Sequence, residues 1–306
     1  MQTLTASFMS RLISFAVFVG SLSSIITISE ARWATYEDAP AEMEFFSRDI
    51  TCDPQGKSQE IVEQQVKILN ERGRDQFGTQ SLFYNSNLEE IQIIEAKSIY
   101  QGKEFKVSKD MIEIKPVASQ TTAFDEVNQV LVSYPQAQPG AQLYLKYKII
   151  IRKRPIPKSY NIQLVFGQEA YWKKAVVTLK SELPVKIMSN DPQQCVEITE
   201  GKDKNYQTVK VTLKKPVYNA AVNEPRTSII PWDLQTWVSA SSFASNEEVA
   251  LGFTKGFENV IVNPLPPLLV AIKEEATKIK DTSTQINHVT SSLSEKIRYM
   301  GRLAHC

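Results

Sequence analysis

The chain has 306 residues, 42% of them hydrophobic and 23% charged, enough for one large domain or two modest ones around a buried core, which excludes wholesale disorder. Lys and Arg number 35 against 34 Asp and Glu, a formal net charge of +1. That balance sets aside nucleic acid as a partner, because neutralised phosphates supply most of such affinity.

The first element is an apolar leader. Arg11 is the only charge before the run Leu12 to Ile28, which ends in Ser29, Glu30 and Ala31, with small residues at 29 and 31. This is the three-part plan of a secretory signal, with cleavage expected after Ala31. The competing reading is a retained anchor, against which the run is short and diluted by Ser, Gly and Thr. Export places residues 32 onward in the periplasm or outside the cell, with membrane contact only through an uncleaved leader. A later apolar stretch, Val260 to Ile272, is too short for a span and is broken by Pro264, Pro266 and Pro267.

Residues 32–59 read as a lead-in segment with Trp33, Tyr36, Phe45 and Phe46, closing on the turn Asp53 to Gly56. From about residue 60 to 215 the dominant period is two, the strand period. Leu143, Leu145, Tyr147, Ile149 and Ile151 make an oily face, opposite Tyr144, Lys146, Lys148 and Ile150, with Arg152 and Arg154 continuing the second phase. Val209, Val211 and Leu213 alternate with Thr208, Lys210, Thr212 and Lys214 in the same way. Further strands are expected at Glu60 to Leu69, Ile91 to Ile99, Val127 to Ser133, Ile162 to Phe166 and Ala175 to Leu179. Turn residues separate them at Gln101-Gly102, Pro139-Gly140, Asn190 to Pro192 and Glu200-Gly201. Many strands with one wet face each predict an antiparallel β-sandwich over residues 32–240, with a closed barrel as the alternative.

After Pro231-Trp232 the period changes to that of a helix. Ser245 and Glu248 form a capping box ahead of Val249, Phe253, Phe257 and Val260. Asn263-Pro264 offers a second start, before Leu265, Leu268, Leu269, Ile272, Ala276 and Ile279. Thr282 with Gln285 offers a third, before Ile286, Val289, Leu293, Ile297 and Met300. Residues 241–306 thus read as three amphipathic helices whose apolar stripes need a partner surface.

There are three cysteines, Cys52, Cys195 and Cys306. Export would let a disulfide persist, and Cys52 with Cys195 is the candidate pair, closing a loop worth about 5 kcal/mol in the chain-entropy model. The alternative is two buried, unpaired thiols, because spacing alone does not bring the Cα atoms together.

The strand from Val66 to Gly73, then Leu88 to Ile99, the turn and strand Pro139 to Lys148, and Pro231-Trp232 ahead of a helical run ending Glu295 to Tyr299 together carry a resemblance over roughly residues 40–300. This order resembles the uncharacterised β-rich domain that precedes a transglutaminase-like core in many bacterial envelope proteins. In that superfamily the chemistry belongs to a Cys in a Gly-Asp-Cys context, a His and an Asp. No Gly-Asp-Cys occurs in this sequence, which after Gly301 reads Arg302 to Cys306. The resemblance therefore implies a relative truncated before its catalytic part, and no enzyme activity.

The remaining chemistry points the same way. Adjacent His305 and Cys306 cannot be held in the geometry that a thiolate and its base require. His288, at the edge of the third helix, has no His or Cys at metal-ligand spacing, so no metal or cofactor is implied. Glu247-Glu248 and Glu274-Glu275 diverge around their helices and make no carboxylate pair. Trp172, Trp232 and Trp237 read as core or junction anchors. The basic row Lys146, Lys148, Arg152 and Arg154 is a candidate patch for anionic lipid head groups or acidic glycans, against a plain solvated face. Two readings follow. One is a non-catalytic exported module working through an envelope protein or surface component. The other is the leading part of a cysteine-dependent transglutaminase-like acyltransferase or peptidase.

Overall fold

A computed structural model describes residues 32–117, 127–222, 232–261 and 264–296. The leader with its Ala31 junction, Pro231, Ile297, Met300, His305 and Cys306 lie outside the described residues. The strands are β1 (Arg32–Trp33), β2 (Ala41–Cys52), β3 (Ser58–Ile68), β4 (Thr79–Asn85), β5 (Glu89–Tyr100), β6 (Lys103–Lys106), β7 (Ile112–Pro116), β8 (Val127–Ser133), β9 (Gln142–Ile151), β10 (Asn161–Phe166), β11 (Tyr171–Trp172), β12 (Ala175–Ser181), β13 (Lys186–Asn190), β14 (Val196–Asp203), β15 (Tyr206–Leu213), β16 (Ala221–Val222) and β17 (Thr236–Ser241). The helices are α1 (Glu71–Phe77), α2 (Asn246–Ile261), α3 (Pro267–Thr277) and α4 (Thr282–Lys296).

One nine-stranded sheet organises the chain, in the order β14-β15-β12-β2-β3-β9-β5-β6, with β11 beside β2. Its register aligns every inward phase on a single face. Met43 pairs with Val66 and Val66 with Leu143, while Ile50 pairs with Leu179 and Leu179 with Val209. Two smaller sheets cover that face side by side. The sheet β10-β17-β13 packs Phe166, Val238 and Ala240 onto Ile50, Val177, Leu179, Val209 and Val211. The sheet β4-β8-β7 packs Val130 and Val132 onto Met43, Val66, Leu143 and Leu145.

The expected sandwich is therefore present, with its second layer divided in two. It is not a closed barrel, since the large sheet ends in the edge strands β14 and β6. It is also not wholly antiparallel, because β12 runs parallel to β2. A parallel pair needs a long crossover, and here the chain passes through β10 of the covering layer on its way from β9 to β12. The lead-in segment turns out to be structural, since β2 lies in the middle of the large sheet.

Three helices follow β17. The first begins where its capping box places it: Ser245 Oγ accepts from Glu248 N at 3.3 Å and Glu248 reaches back to Ala244 N at 2.6 Å. The second starts later than Asn263-Pro264 implies. Pro266 is extended and Pro267 opens α3, because residues ahead of proline avoid the helical region. The third is capped by Asp281, not Thr282. Asp281 Oδ2 accepts from Thr284 N at 2.8 Å, and the Gln285 amide goes instead to Ala276 O at 3.0 Å. Ile272, Ala276 and Ser292 are buried where α3 and α4 meet.

Candidate functional site

The two described cysteines are free and buried. The disulfide weighed from the sequence is not formed, for a reason set by register. Cys52 pairs with Ser181, which pairs with Gln207 at the start of β15, whereas the Cys195 carbonyl accepts from Lys214 N past the other end of that strand. Seven residue steps of strand, from Gln207 to Lys214, separate the two levels, roughly 23 Å at 3.3 Å per residue, against the Cα separation of about 4–7 Å that a disulfide needs. The Cys195 thiol donates to Asp191 Oδ1 at 3.2 Å, and burial together with that carboxylate pushes it up to about 11. Burial also raises the Cys52 thiol. Both are held as thiols near neutral pH, the opposite of an activated nucleophile.

The basic row does not act as one surface. Lys146 lies on the open face of the large sheet, its Nζ 3.0 Å from Glu63 Oε2, and this contact holds the Glu63 carboxyl below its usual range. Arg152 pairs with Glu90. Arg154 turns inward: its Nε donates to Gly56 O at 2.9 Å, its Nη2 donates to Ser58 Oγ at 3.0 Å, and its guanidinium sits 4.9 Å from the Tyr160 ring centre. The strand alternation that suggested the row ends with β9, after which the amides of Arg152 and Lys153 both donate to Leu88 O and redirect the chain. Of the four, Lys148 alone keeps a free ammonium group among the described residues.

Arg154 joins a polar seam that the sequence reading missed. On the covered face, Arg48 Nε donates to Glu60 Oε2 at 2.8 Å, and Ser58 Oγ donates to Glu60 Oε1 at 3.2 Å. Glu60 is 1% exposed. The seam runs between the two apolar clusters, with Tyr147 on one side and Tyr160 on the other. The signal was available: Arg48 shares the phase of Phe46, Ile50 and Cys52, and Glu60 that of Val62, Val66 and Ile68. Two opposite charges in buried phases pair across neighbouring strands.

The remaining candidates are placed as follows. Trp172 is a core anchor, 5.0 Å from the Phe46 ring centre and 5.6 Å from that of Phe166. Trp237 donates its Nε1 to Trp232 O at 3.1 Å, and Trp232 is 54% exposed. His288 spans α4 to α3, its Nε2 3.4 Å from Glu275 Oε2. Among the described residues no group of three or more His, Cys, Asp or Glu could hold a metal ion, and no helix is long and apolar enough to cross a membrane.

The helices leave several large apolar side chains in water. Leu251 is 60% exposed, Phe253 52%, Leu268 42% and Ile286 59%. Gly252 lies on Ile156, so close that a Cβ there would meet its side chain at 2.8 Å, which sets α2 against the loop after β9 with Leu251 and Phe253 exposed to either side.

Residues 54–217 match the model of a family described as a domain of unknown function with solved structure (DUF3857). Among solved structures, one described as "a putative protease" from Parabacteroides distasonis aligns with a TM-score of 0.67 at 15% identity, over 84% of this chain and 50% of that one. The chain thus spans about half the length of that structure, and the likeness is one of fold. An M1 zinc metallopeptidase from Deinococcus radiodurans aligns at 11% identity over 65% of this chain and 42% of that one, with a TM-score of 0.31. No curated protein matches.

Proposed function

The chain belongs to the DUF3857 family, and on that premise we propose that it is a non-catalytic, exported β-rich module that docks another envelope protein through its helical segment. The observation that carries this reading is the apolar side chains that the helices leave in water, Leu251 and Phe253 on α2 and Ile286 on α4, each more than half exposed. Helices of a folded protein bury their large apolar side chains, and several left open on one segment mark surface that is covered in use. The two buried thiols, both held protonated, suit a binding role. Export rests on the leader ahead of residue 32.

A second reading is favoured by one observation, that only 50% of the Parabacteroides structure described as a protease is covered by this chain. In that reading the module is the leading part of a transglutaminase-like acyltransferase or peptidase, and the helices cover the catalytic part.

A photo-crosslinking side chain placed at Leu251 in cells tests the docking reading. A discrete protein adduct is expected there, and none from the same probe at Lys210 on the open sheet face. Absent or equal labelling at the two positions overturns it. Turnover of a glutamine peptide and an amine donor by the purified chain, lost on Cys306→Ala, would overturn the non-catalytic part.

A further inference from the structure

The open face of the large sheet carries a feature independent of the helices. At the end where β2 passes to β3 and β9 leaves the sheet, a cleft of about 860 Å³ opens. Ile61 and Ile150 lie in it as diagonal neighbours on β3 and β9. Three lysines reach it: Lys148 from β9, Lys57 from the turn after β2, and Lys153 from the chain leaving β9. None of the three ammonium groups has a carboxylate partner among the described residues, in contrast to Lys146 and Arg152 on the same strand and its continuation.

The cleft is also built to keep those charges in place. Asp53 Oδ1 accepts from the amides of Gln55 and Lys57 at 2.8 and 2.9 Å, which fixes the Lys57 turn. The Lys153 amide is tied to Leu88 O at 3.2 Å. Of the three carboxylates lining the cleft, Asp53 accepts from the turn amides and Glu182 from the Tyr206 hydroxyl, and both keep their charge. Asp49 is the remaining one, two strands from Lys148 across Ile61. The cleft is thus lined by four cations, Lys57, Lys148, Arg152 and Lys153, and three carboxylates, and of the cations only Arg152 has an ion-pair partner among the described residues.

We propose that this cleft binds a phosphate ester, with the phosphate among Lys57, Lys148 and Lys153 and the organic body over Ile61 and Ile150. Lysine ammonium groups act as compact point charges and suit a small oxyanion. Three ammonium groups without an ion-pair partner suit an oxyanion with more than one charge, which a phosphate monoester carries near neutral pH. The apolar neighbours give the organic part a surface to rest on.

The test is titration of the purified chain at low salt with two probes. One is glycerol 3-phosphate in vesicle-free buffer; the other is vesicles of equal parts phosphatidylcholine and phosphatidic acid, with phosphatidylcholine alone as reference. Saturable binding is expected. Lys148→Gln weakens it about tenfold, the triple Lys57→Gln, Lys148→Gln, Lys153→Gln variant abolishes it, and Lys210→Gln elsewhere on the open face leaves it within about twofold. Binding of the soluble probe identifies a free phosphorylated compound, and binding to acidic vesicles alone identifies a lipid head group; either upholds the site. No saturable binding of either probe, or an equal loss in Lys210→Gln, overturns it. Thermal melts accompany each variant, and should Lys148→Gln melt early, the turn variants Lys57→Gln and Lys153→Gln carry the test.

Discussion

Arg48 and Glu60 meet diagonally across β2 and β3, with the guanidinium Nε 2.8 Å from a carboxylate oxygen on the covered face of the large sheet. The pair stands where the two covering sheets leave a gap, so it is walled by Tyr147 and Tyr160 and not by aliphatic side chains. Desolvation alone would lower the Arg48 pKa, yet it is raised, because the Glu60 charge more than compensates. Glu60→Ala should cost about 3–5 kcal/mol, since it strands a buried cation. The double variant Arg48→Met with Glu60→Leu should recover most of that loss. Urea unfolding midpoints of the three proteins decide it, and a double variant as unstable as the single one would show that the pair itself contributes net stability.

The open face predicts the opposite outcome for a pair of similar geometry. Lys146 and Glu63 are 3.0 Å apart with about a third of each side chain exposed. Water and salt screen them, so Glu63→Gln should change stability by less than about 1 kcal/mol. The lowered Glu63 carboxyl makes even that contribution present above the usual carboxylate range and lost as pH falls through it. Denaturant titrations at neutral pH and at pH 3 to 4 read the effect.

Cys195 makes stability sensitive to alkali. Its folded pKa, about 11, lies above the ordinary thiol value of 9.0, so the folded state holds its proton longer than the unfolded one. The resulting stability is full below the unfolded value and is lost as pH rises through about 11, up to roughly 2–3 kcal/mol. Cys195→Ala should flatten that part of the pH–stability curve. Native protein at pH 8 should also resist iodoacetamide at Cys52 and Cys195 and become alkylated at both on unfolding without reductant. A mass two hydrogens short that needs reductant before labelling would restore the disulfide.

Gly56 tests how the seam is closed at its end. Its φ of +81° is in the left-handed region, and a Cβ there would lie 2.3 Å from Ser159 O. Its carbonyl also receives the Arg154 Nε. Gly56→Ala should therefore cost more than the roughly 1–2 kcal/mol of left-handed strain alone, because the close backbone contact must open as well. A melt within a degree or two of the parent would refute the contact.

What could be read ahead of the structure depended on whether a residue's role was local. The alternation at Leu143 to Ile151 and at Thr208 to Lys214 is local, and both segments are strands in the large sheet. The Ser245 box is local too, and it holds. Apart from the starts of α3 and α4, the misses are relational. Phe45, Phe46 and Arg48 looked like a lead-in because nothing local says that the next strand pairs with them from one side and β12 from the other. Arg152 and Arg154 continued a phase on paper after the strand itself had ended, so their side chains part toward Glu90 and Ser58. The candidate disulfide failed on register, which sequence separation does not encode. The phosphate cleft is relational in the same sense, drawing its lysines from one strand and two turns.

The helical surface yields the last prediction, which rests on the contrast between two apolar residues of the same segment. Ile272 is 3% exposed between α3 and α4, whereas Leu251 on α2 is 60% exposed. Ile272→Ala should cost about 2–5 kcal/mol of local stability through lost burial and the cavity left behind. Leu251→Lys should cost almost nothing, because no packed contact is removed and the substitution sits on a wet helix face. Yet Leu251→Lys should reduce binding of a hydrophobic dye and the protein adduct formed from a probe at Lys255, one turn along the same face, both of which Ile272→Ala would leave or increase. If Leu251→Lys instead destabilised the helices as much as Ile272→Ala, the stripe would already be packed within this chain, and the docking reading would lose the surface it depends on.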